Sequence, residues 1–321
     1  MMKNLPHAGS FLAAAALAFS SWTACAGSIA IETGEGDIAA LLERDANDFA
    51  DAVGKAVLDF SPSPLLSKTF VKLRSKVQDA TLVRIEYTYE KDGKTVTRVY
   101  HGRSGHSLRT IFDRVPKRPG SSDSGTESPA TDSSDATGVV EADDIAMDAA
   151  EAKYYPAETA FDLRARKLPA STSRLEASVV DGMDHSWDAE LKTLRRIEYD
   201  IEKKIVPRGG RVTGYVSKTV CESCRKAIDA FARIFDADGT IYQLIEPGAS
   251  SVAGEGTTAI QRSRVVSNNF RTMRKVYAKT VLNPARHALM RKQRRSGLGD
   301  LNRIEQEAVA VDVPAQDPCV P

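Results

Sequence analysis

Cys221 and Cys224 are the residues of this sequence that most clearly suggest chemistry. They lie in the stretch SKTVCESCRKAIDA, residues 217–230, with two residues between them, and the chain has four cysteines in all. A zinc site, a redox-active dithiol and a plain disulfide loop each produce such a pair. The pair alone does not decide among the three, so the surrounding residues have to.

A helix is predicted directly after Cys221, which places both cysteines in its first turn. A helix N-terminus favours the thiolate, the form of cysteine that binds zinc. A catalytic zinc ion takes three protein ligands and leaves the fourth position to water. Asp188, at the start of an earlier predicted helix, is the candidate third ligand. Glu190 points in another direction on that helix and is suited to carry a proton.

This arrangement resembles the zinc-dependent nucleobase and nucleotide deaminases, in which H-x-E precedes P-C-x-x-C on the next helix. It is more closely similar to the deaminase domains of bacterial polymorphic toxins, in a branch where D-x-E replaces H-x-E. That branch has a helix of the approximate form D-x-E-x-K-x-L, and this chain has DAELKTL at 188–194. The family opens with a helix and a hairpin that ends in a His-Ser pair. His101 and Ser104 are the approximate counterparts of that pair.

The resemblance implies an α/β fold of the cytidine deaminase-like type, in which helices lie on both faces of a sheet. It implies Zn²⁺ held by Asp188, Cys221 and Cys224, with Glu190 as the catalytic proton carrier. His101 and Ser104, described above, are the implied substrate-binding residues. The implied reaction is hydrolytic removal of the exocyclic amine of a nucleobase, with cytosine in nucleic acid as the preferred substrate.

The sequence departs from the family pattern beside the cysteines. Val220 stands where the family has proline, and Ser-Lys-Thr at 217–219 replaces a more usual Ser/Thr-Glu-Arg. His185 lies five residues before Glu190 and therefore does not restore H-x-E. It is nevertheless a candidate to replace Asp188 as a ligand.

Two other classes of protein fit the cysteine pair. One is an exported thioredoxin-like C-x-x-C oxidoreductase, although here a hairpin leads the domain and Pro247 follows the next predicted strand. The other is a non-enzymatic secreted binding protein with a structural cysteine pair. Both leave Asp188 and Glu190 without a role.

The elements that must position these residues follow an α/β pattern. Apolar residues recur with helical spacing at 38–58, 65–78, 187–205 and 227–235. Strand patterns lie at 81–90, 94–101, 211–217 and 240–245, and an Asp-Gly turn joins the first two as a hairpin. Lys192 and Arg195 are predicted to lie on a solvated helix face.

Two oppositely charged segments cancel in the net charge of +1. Gly120–Ala150 has eight acids and no Lys or Arg, whereas Gly256–Gly299 has eleven Lys or Arg and no acid. Residues 117–150 are predicted to be a disordered acidic insertion within one deaminase-like domain at 65–248. Residues 249–321 are predicted to form a basic, partly disordered tail.

The basic tail is a candidate nucleic-acid-binding segment, because clustered cations attract phosphate backbones. The residues predicted to make that contact are Arg271, Arg274, Lys275, Lys279, Arg291, Lys292, Arg294 and Arg295. The alternatives are that the tail binds nothing specific or that it binds an anionic membrane surface.

The N-terminal residues match a signal peptide. Lys3 precedes the apolar run FLAAAALA at 11–18, and ACA at 24–26 fits an A-x-A cleavage site. We predict removal of residues 1–26 and a secreted chain without stable membrane insertion, which begins with a helical segment at 27–64. The sequence thus predicts a secreted toxin or effector with a nucleic acid or nucleotide substrate. Its producer would need an immunity protein unless export keeps the toxin from its target.

Overall fold

The computed structural model describes residues 27–60, 67–108, 145–177, 179–180, 183–246 and 257–295. The predicted signal peptide at 1–26 and residues 117–144 of the predicted insertion lie outside the described residues. Residues 145–150, which the prediction assigned to the insertion, are helical.

The strands form one large sheet and one small one. In chain order they are β1 (Ile29–Thr33), β2 (Leu82–Lys91), β3 (Lys94–Arg103), β4 (Asp162–Arg164), β5 (Val179–Val180), β6 (Met183–Asp184), β7 (Arg211–Val216) and β8 (Asp238–Gln243). The six-stranded sheet has the order β1-β8-β7-β2-β3-β4, and β5 pairs with β6 separately. The mixed sheet confirms the predicted α/β class.

The β2–β3 hairpin is where the sequence predicted it. Its turn residues Asp92 and Gly93 both have positive φ, 52° and 71°, as a tight two-residue hairpin turn requires. The register pairs Leu82 with Arg103 and Lys91 with Lys94. Alternate residues of β2, from Val83 to Tyr89, are buried and give this strand one apolar face.

One edge of the sheet collects the carboxyl ends of five strands. β7 and β8 are parallel, as are β8 and β1 and β3 and β4, whereas β2 is antiparallel to both β3 and β7. All strands of this sheet except β2 therefore point the same way. Their last residues are Thr33, Arg103, Arg164, Val216 and Gln243. The loops that follow β3 and β7 at this edge lead to the candidate site.

Five long helices surround the sheet. They are α1 (Ile38–Phe60), α2 (Ser67–Asp79), α3 (Ala189–Glu202), α4 (Glu222–Phe235) and α5 (Thr257–Arg295). Leu194 of α3 and Phe231 of α4 pack with Ile85 on one face of the sheet. Leu42 of α1 and Phe270 of α5 pack together on the other face. The molecule therefore has three layers, with helices on both sides of the sheet.

The segments predicted to flank the domain belong to the same three layers. β1 pairs with β8, so the predicted N-terminal segment contributes a strand to the sheet. Ala278 and Leu282 of α5 are buried in one cluster with Val53 of α1. This part of the predicted tail is thus a helix packed into the fold. Among the described helices, none is both long and apolar enough to cross a membrane.

Candidate metal and active site

The start of α3 presents an acidic side chain that its own helix does not use. A 3₁₀ turn, His185–Trp187, precedes the helix, and the Asp184 carboxylate accepts a bond from Ser186 N that fixes this turn. Asp188 occupies the N-cap position, yet within α3 its side chain makes no capping hydrogen bond. Its carboxylate is fully buried. The usual reason for an N-cap aspartate is therefore absent here.

Close backbone packing brings β3 against the first turn of α3. A Cβ atom at Gly102 would lie 2.8 Å from the Ala189 carbonyl oxygen, and it would also collide with the Thr193 hydroxyl. Only glycine allows this approach without a shift of the helix. Gly102 thereby fixes the distance between β3 and the helix that carries Asp188.

The cysteines lie at the start of α4, as predicted. Cys221 is the N-cap residue, and the Cys224 N–H points at its sulfur at 3.4 Å. Cys221 is half-buried and Cys224 is buried, and within the described residues the two thiols are not joined in a disulfide. Val220 N donates to Gln243 Oε1 at 2.8 Å, which ties the loop to β8. The family's proline could not make this bond, so the departure at Val220 has a structural use.

The two helix starts meet at a single point. Asp188 Oδ2 lies 3.6 Å from Cys221 Sγ and 3.2 Å from Cys224 Sγ, across 33 and 36 residues of sequence. His185 Nδ1 lies 2.8 Å from the same carboxylate oxygen and 3.9 Å from Cys221 Sγ. Four ligands of a tetrahedral zinc ion lie about 3.3–3.8 Å apart. The three distances that involve sulfur, 3.2 to 3.9 Å, are close to that spacing, whereas the 2.8 Å between His185 Nδ1 and Asp188 Oδ2 is a hydrogen-bond distance.

These donors are able to hold a metal ion. His185, Asp188 and Cys221 have ligand atoms within 4.8 Å of one another, and Cys224 adjoins them. Two sulfurs, a carboxylate and an imidazole suit a borderline-soft cation such as zinc. The sequence suggested His185 as a replacement for Asp188. The structure places it beside Asp188 instead.

Glu190 lies buried beside this cluster, with only 2% of its surface exposed. Its Oε2 atom has no hydrogen-bond partner among the described residues, nor has Nε2 of His185. Burial raises the pKa of Glu190 to about 8, and the negative charges of Asp188 and Cys221 add to the rise. An incompletely bonded carboxyl group in such a place is uncommon in a core and typical of a functional site.

The predicted substrate-binding residues make contacts within the protein. His101 is buried with one ring nitrogen 2.9 Å from Asp45 and the other 3.0 Å from Asp162. Ser104 Oγ accepts a hydrogen bond from Thr81 N at 2.8 Å. His101 thus links β3 to α1 and β4, and Ser104 closes the β2–β3 ladder. Their predicted contact with substrate remains a prediction.

The predicted nucleic-acid-binding residues divide into two groups. Exposed basic side chains on α5 are Arg271, Lys275, Lys279, Arg291 and Lys292. Arg274 instead is buried and donates to the Ala80 and Val77 carbonyl oxygens at 2.8 and 2.7 Å, which satisfies the end of α2. Burial lowers its pKa to about 10. The side chains of Arg294 and Arg295 lie outside the described residues.

Sequence patterning was wrong about two cations of α3. Lys192 and Arg195 were predicted to be solvated, but their exposed fractions are 2% and 4%. Arg195 donates twice to the Leu175 carbonyl oxygen, at 3.1 and 2.7 Å. Lys192 lines a cavity at the carboxyl end of β3. Their charge predicted contact with solvent, whereas Arg195 contacts Leu175 and Lys192 contacts Gly105 and Trp187.

Comparison with known proteins adds no assignment. The chain matches no protein-family model. It matches no curated protein and no solved structure at a significant level. Function has to be inferred from the chemistry of the site.

Proposed function

We propose that this chain is a zinc-dependent deaminase that hydrolyses the exocyclic amine of a nucleobase, with cytosine in nucleic acid as the preferred substrate. The observation that carries the proposal is the convergence of Asp188, Cys221 and Cys224, with the buried carboxyl of Glu190 beside them. These are the residues that the resemblance to the toxin deaminases assigned to the site. They come from two helices that begin 33 residues apart in the sequence, so local structure alone would not bring them together.

The donor set supports zinc as the cofactor. Asp188, Cys221 and Cys224 would hold it, because two thiolates and a carboxylate supply three suitable donors at suitable spacing. A zinc ion there would supply Lewis-acid activation of a water molecule at neutral pH. The main-chain N–H of Cys224 directs a partial positive charge at Cys221 Sγ and favours its thiolate form.

Glu190 is the residue proposed to move the proton. A general acid–base group works best when its pKa lies near the operating pH, and burial raises the pKa of Glu190 to about 8. Its Oε2 atom has no partner among the described residues and is the atom at which a proton is held. In deamination it would take up the proton that water releases and pass it to the departing amine.

The order of elements also supports the proposal. After the hairpin β2–β3 and the short strands β4, β5 and β6 come α3, β7, α4 and β8, so the D-x-E helix precedes the C-x-x-C helix as the resemblance implies. α3 and α4 lie side by side on one face of the sheet, with their N-termini at the shared edge. Such an edge, where strand ends and helix N-termini meet, is where ligand sites occur in α/β sheets.

The experiment replaces Glu190 by glutamine and measures uracil formed from cytosine in single-stranded DNA and RNA. Glu190→Gln keeps the shape of the side chain and should reduce turnover at least about 100-fold. Glu222→Gln is the matched control, because Glu222 is an exposed acid in the first turn of α4 that pairs with Lys226. Equal turnover by wild type and Glu190→Gln would contradict the mechanism.

Toxicity and export are proposed from the resemblance and the N-terminal sequence. Cytoplasmic expression of residues 27–321 should arrest bacterial growth, and Glu190→Gln should relieve the arrest. Co-expression with an immunity protein encoded beside it should also relieve it. Unimpaired growth of cells that make active deaminase would contradict the toxin assignment.

A second candidate function is thiol–disulfide exchange. It is favoured by Cys221, which is half-buried at a helix N-cap and receives the Cys224 N–H at its sulfur. That environment is typical of nucleophilic cysteines. Reduction of a model disulfide by metal-free protein, lost in Cys221→Ser, would support this function over the first.

A further inference from the structure

Two buried lysines lie against the tryptophan that precedes Asp188. The Nζ atom of Lys167 lies 4.1 Å from the centre of the Trp187 ring, and that of Lys192 lies 5.6 Å from it. The two residues are 8% and 2% exposed. Lys192 N also donates to the Asp188 carbonyl oxygen at 3.1 Å, so Lys192 lies one helical turn from the metal ligand.

Neither lysine has a carboxylate counter-ion among the described residues. The Lys192 ammonium makes one long hydrogen bond, to the Gly105 carbonyl oxygen at 3.4 Å. The Lys167 ammonium makes a cation–π contact with the Trp187 ring. A cation–π contact is worth far less than the hydration that a buried ammonium group loses. Two charges of the same sign are therefore buried together without full compensation.

The nearby acids are already engaged. Asp148 Oδ2 accepts a 2.6 Å bond from Lys167 N, which is main-chain and uncharged. Glu151 binds Arg103 Nη2 at 2.7 Å and accepts from Leu108 N. Arg103, Lys167 and Lys192 thus lie near these two acids, and within the part of the chain that the structure describes neither acid makes a salt bridge with a lysine. Burial lowers the pKa of Lys192 to about 8, against the attraction of Asp148 and Glu151.

A cavity opens beside Lys192 and Arg103. Its lining includes Arg166 and Tyr155 together with the acids Asp148, Glu151 and Asp45, of which Asp45 pairs with His101. Arg166 binds Glu158 at 2.7 Å, so its charge is balanced. Lys192 is thus a nine-tenths buried, incompletely bonded cation on the cavity wall. Guanidinium and ammonium groups around one cavity suit a multiply charged anion with several acceptor oxygens.

We propose that the cavity lined by β3, residues 148–155 and Lys192 of α3 binds a phosphate group through Lys192 and Arg103, with the positive charge of Lys167 nearby. Phosphate accepts several hydrogen bonds at once and would supply the partners that the Lys192 ammonium lacks in the described part of the protein. Because the cavity lies within one turn of α3 from Asp188, the phosphate belongs to the molecule whose base reaches the candidate active site. That last step rests on the proposed function, whereas phosphate binding does not.

The binding test titrates inorganic phosphate into the full chain by calorimetry, with Lys192→Met and Lys94→Met as matched variants. Lys94 is exposed at the turn end of β3, the end opposite the cavity. Lys192→Met should weaken phosphate binding roughly tenfold, as loss of one charge-assisted hydrogen bond does. Lys94→Met should leave the affinity unchanged. Equal affinity in both variants, or no binding by wild type, overturns the proposal.

Folding of the variants is checked in the same samples. Lys192→Met replaces a buried charge by an apolar chain of similar length, so it should fold and melt no lower than wild type. Added phosphate should raise the melting temperature of wild type and leave that of Lys192→Met unchanged. Lys167→Met should repeat the loss of phosphate binding by an independent substitution. Full phosphate binding by folded Lys167→Met and Lys192→Met would overturn the proposal.

The substrate class is tested by comparing cytidine, cytidine 5′-monophosphate and a single-stranded oligonucleotide. A phosphate on the substrate should lower KM for wild type but not for Lys192→Met, and preference for the monophosphate or the oligonucleotide identifies its source. If none of the three is deaminated while phosphate binding still depends on Lys192, the proposed function fails and the phosphate site stands. If all three are deaminated with one KM, the cavity does not bind the phosphate of the substrate, and the proposed function stands.

Discussion

His185 Nδ1 lies 2.8 Å from Asp188 Oδ2, and both atoms face the Cys221 sulfur, at 3.9 and 3.6 Å. This contact bears on the kind of metal site that the proposed ligands would form. If only the aspartate joins the two cysteines as a ligand, one position is left for water, as catalytic zinc needs. If His185 is a fourth ligand, the site is closed and structural. The role that fits the proposed deaminase is an orienting hydrogen bond from His185 to Asp188.

The first prediction separates these two roles of His185. Asp188→Asn should abolish stoichiometric metal binding, whereas His185→Asn should keep the metal with affinity reduced about 10- to 100-fold. Absorption of the cobalt-substituted protein reports the ligand set directly, so it distinguishes a lost ligand from a lost orienting contact. His287→Asn, at an exposed position on α5, is the control. A cobalt spectrum that changes coordination number in His185→Asn would show that His185 is a ligand.

The second prediction concerns a buried ion cluster below the site. Asp200, fully buried on α3, accepts from Arg98 at 3.1 Å and from the Tyr100 hydroxyl at 2.9 Å, and Arg196 lies 3.4 Å away. Asp200→Asn would leave Arg98 buried without its counter-charge, so the free energy of unfolding should fall by about 3–5 kcal/mol. Asp229→Asn, at an exposed position, should change it by less than about 0.5 kcal/mol. Urea denaturation measures both, and a loss below about 1 kcal/mol in Asp200→Asn would contradict the prediction.

The third prediction concerns the pH dependence of stability. The pKa of Lys192 is lowered from 10.5 to about 8 by burial, so between these values the unfolded chain binds more protons than the folded chain. The free energy of unfolding therefore increases as pH rises through this window. Lys192 lowers the stability most below about pH 8, where the buried side chain is charged. Lys192→Met should be more stable than wild type near pH 7, by an amount on the order of 3 kcal/mol. The difference should shrink by about pH 9.5. A difference independent of pH would contradict burial of the charged lysine.

The fourth prediction concerns the exposed basic residues of α5. Replacement of Lys275 and Lys279 by glutamine should weaken binding of single-stranded DNA. The slope of log K against log salt concentration should become shallower by about 0.7 per lost phosphate contact. Arg274→Gln should instead lower the stability of the protein, because the Arg274 guanidinium binds carbonyl oxygens at the end of α2. Fluorescence anisotropy at several salt concentrations measures the first effect. An unchanged salt slope in the double variant would show that α5 does not contact nucleic acid.

The sequence predicted the elements whose signals are local. The Asp92-Gly93 turn fixes the β2–β3 hairpin, and regular spacing of apolar residues locates α1, α3 and α4. The Cys221 helix start was predictable for the same reason. Its meeting with Asp188 was inferred from the resemblance to the deaminases, and nothing in local spacing required it.

What the sequence did not predict depends on distant contacts. β1 joins the sheet through β8, with Ser28 bonded to Asp238 across 210 residues, and no local pattern indicates such a pair. α5 packs on α1 through small residues such as Ala278. Apolar residues such as Phe270 and Tyr277 indicated that part of the basic tail is a helix that packs on the domain, but they did not identify α1 as its partner. Lys192 was predicted to be solvated because it is charged, yet its exposed fraction is 2%.

Metal content tests the central proposal most directly. Wild-type protein comprising residues 27–321 is purified under reducing conditions and compared with Cys224→Ala and with Cys319→Ala, a matched cysteine control. The proposed site predicts about one zinc ion per chain in wild type and in Cys319→Ala, and none in Cys224→Ala. Wild-type protein that is free of metal under these conditions, in which both thiols are reduced, would contradict the deaminase assignment.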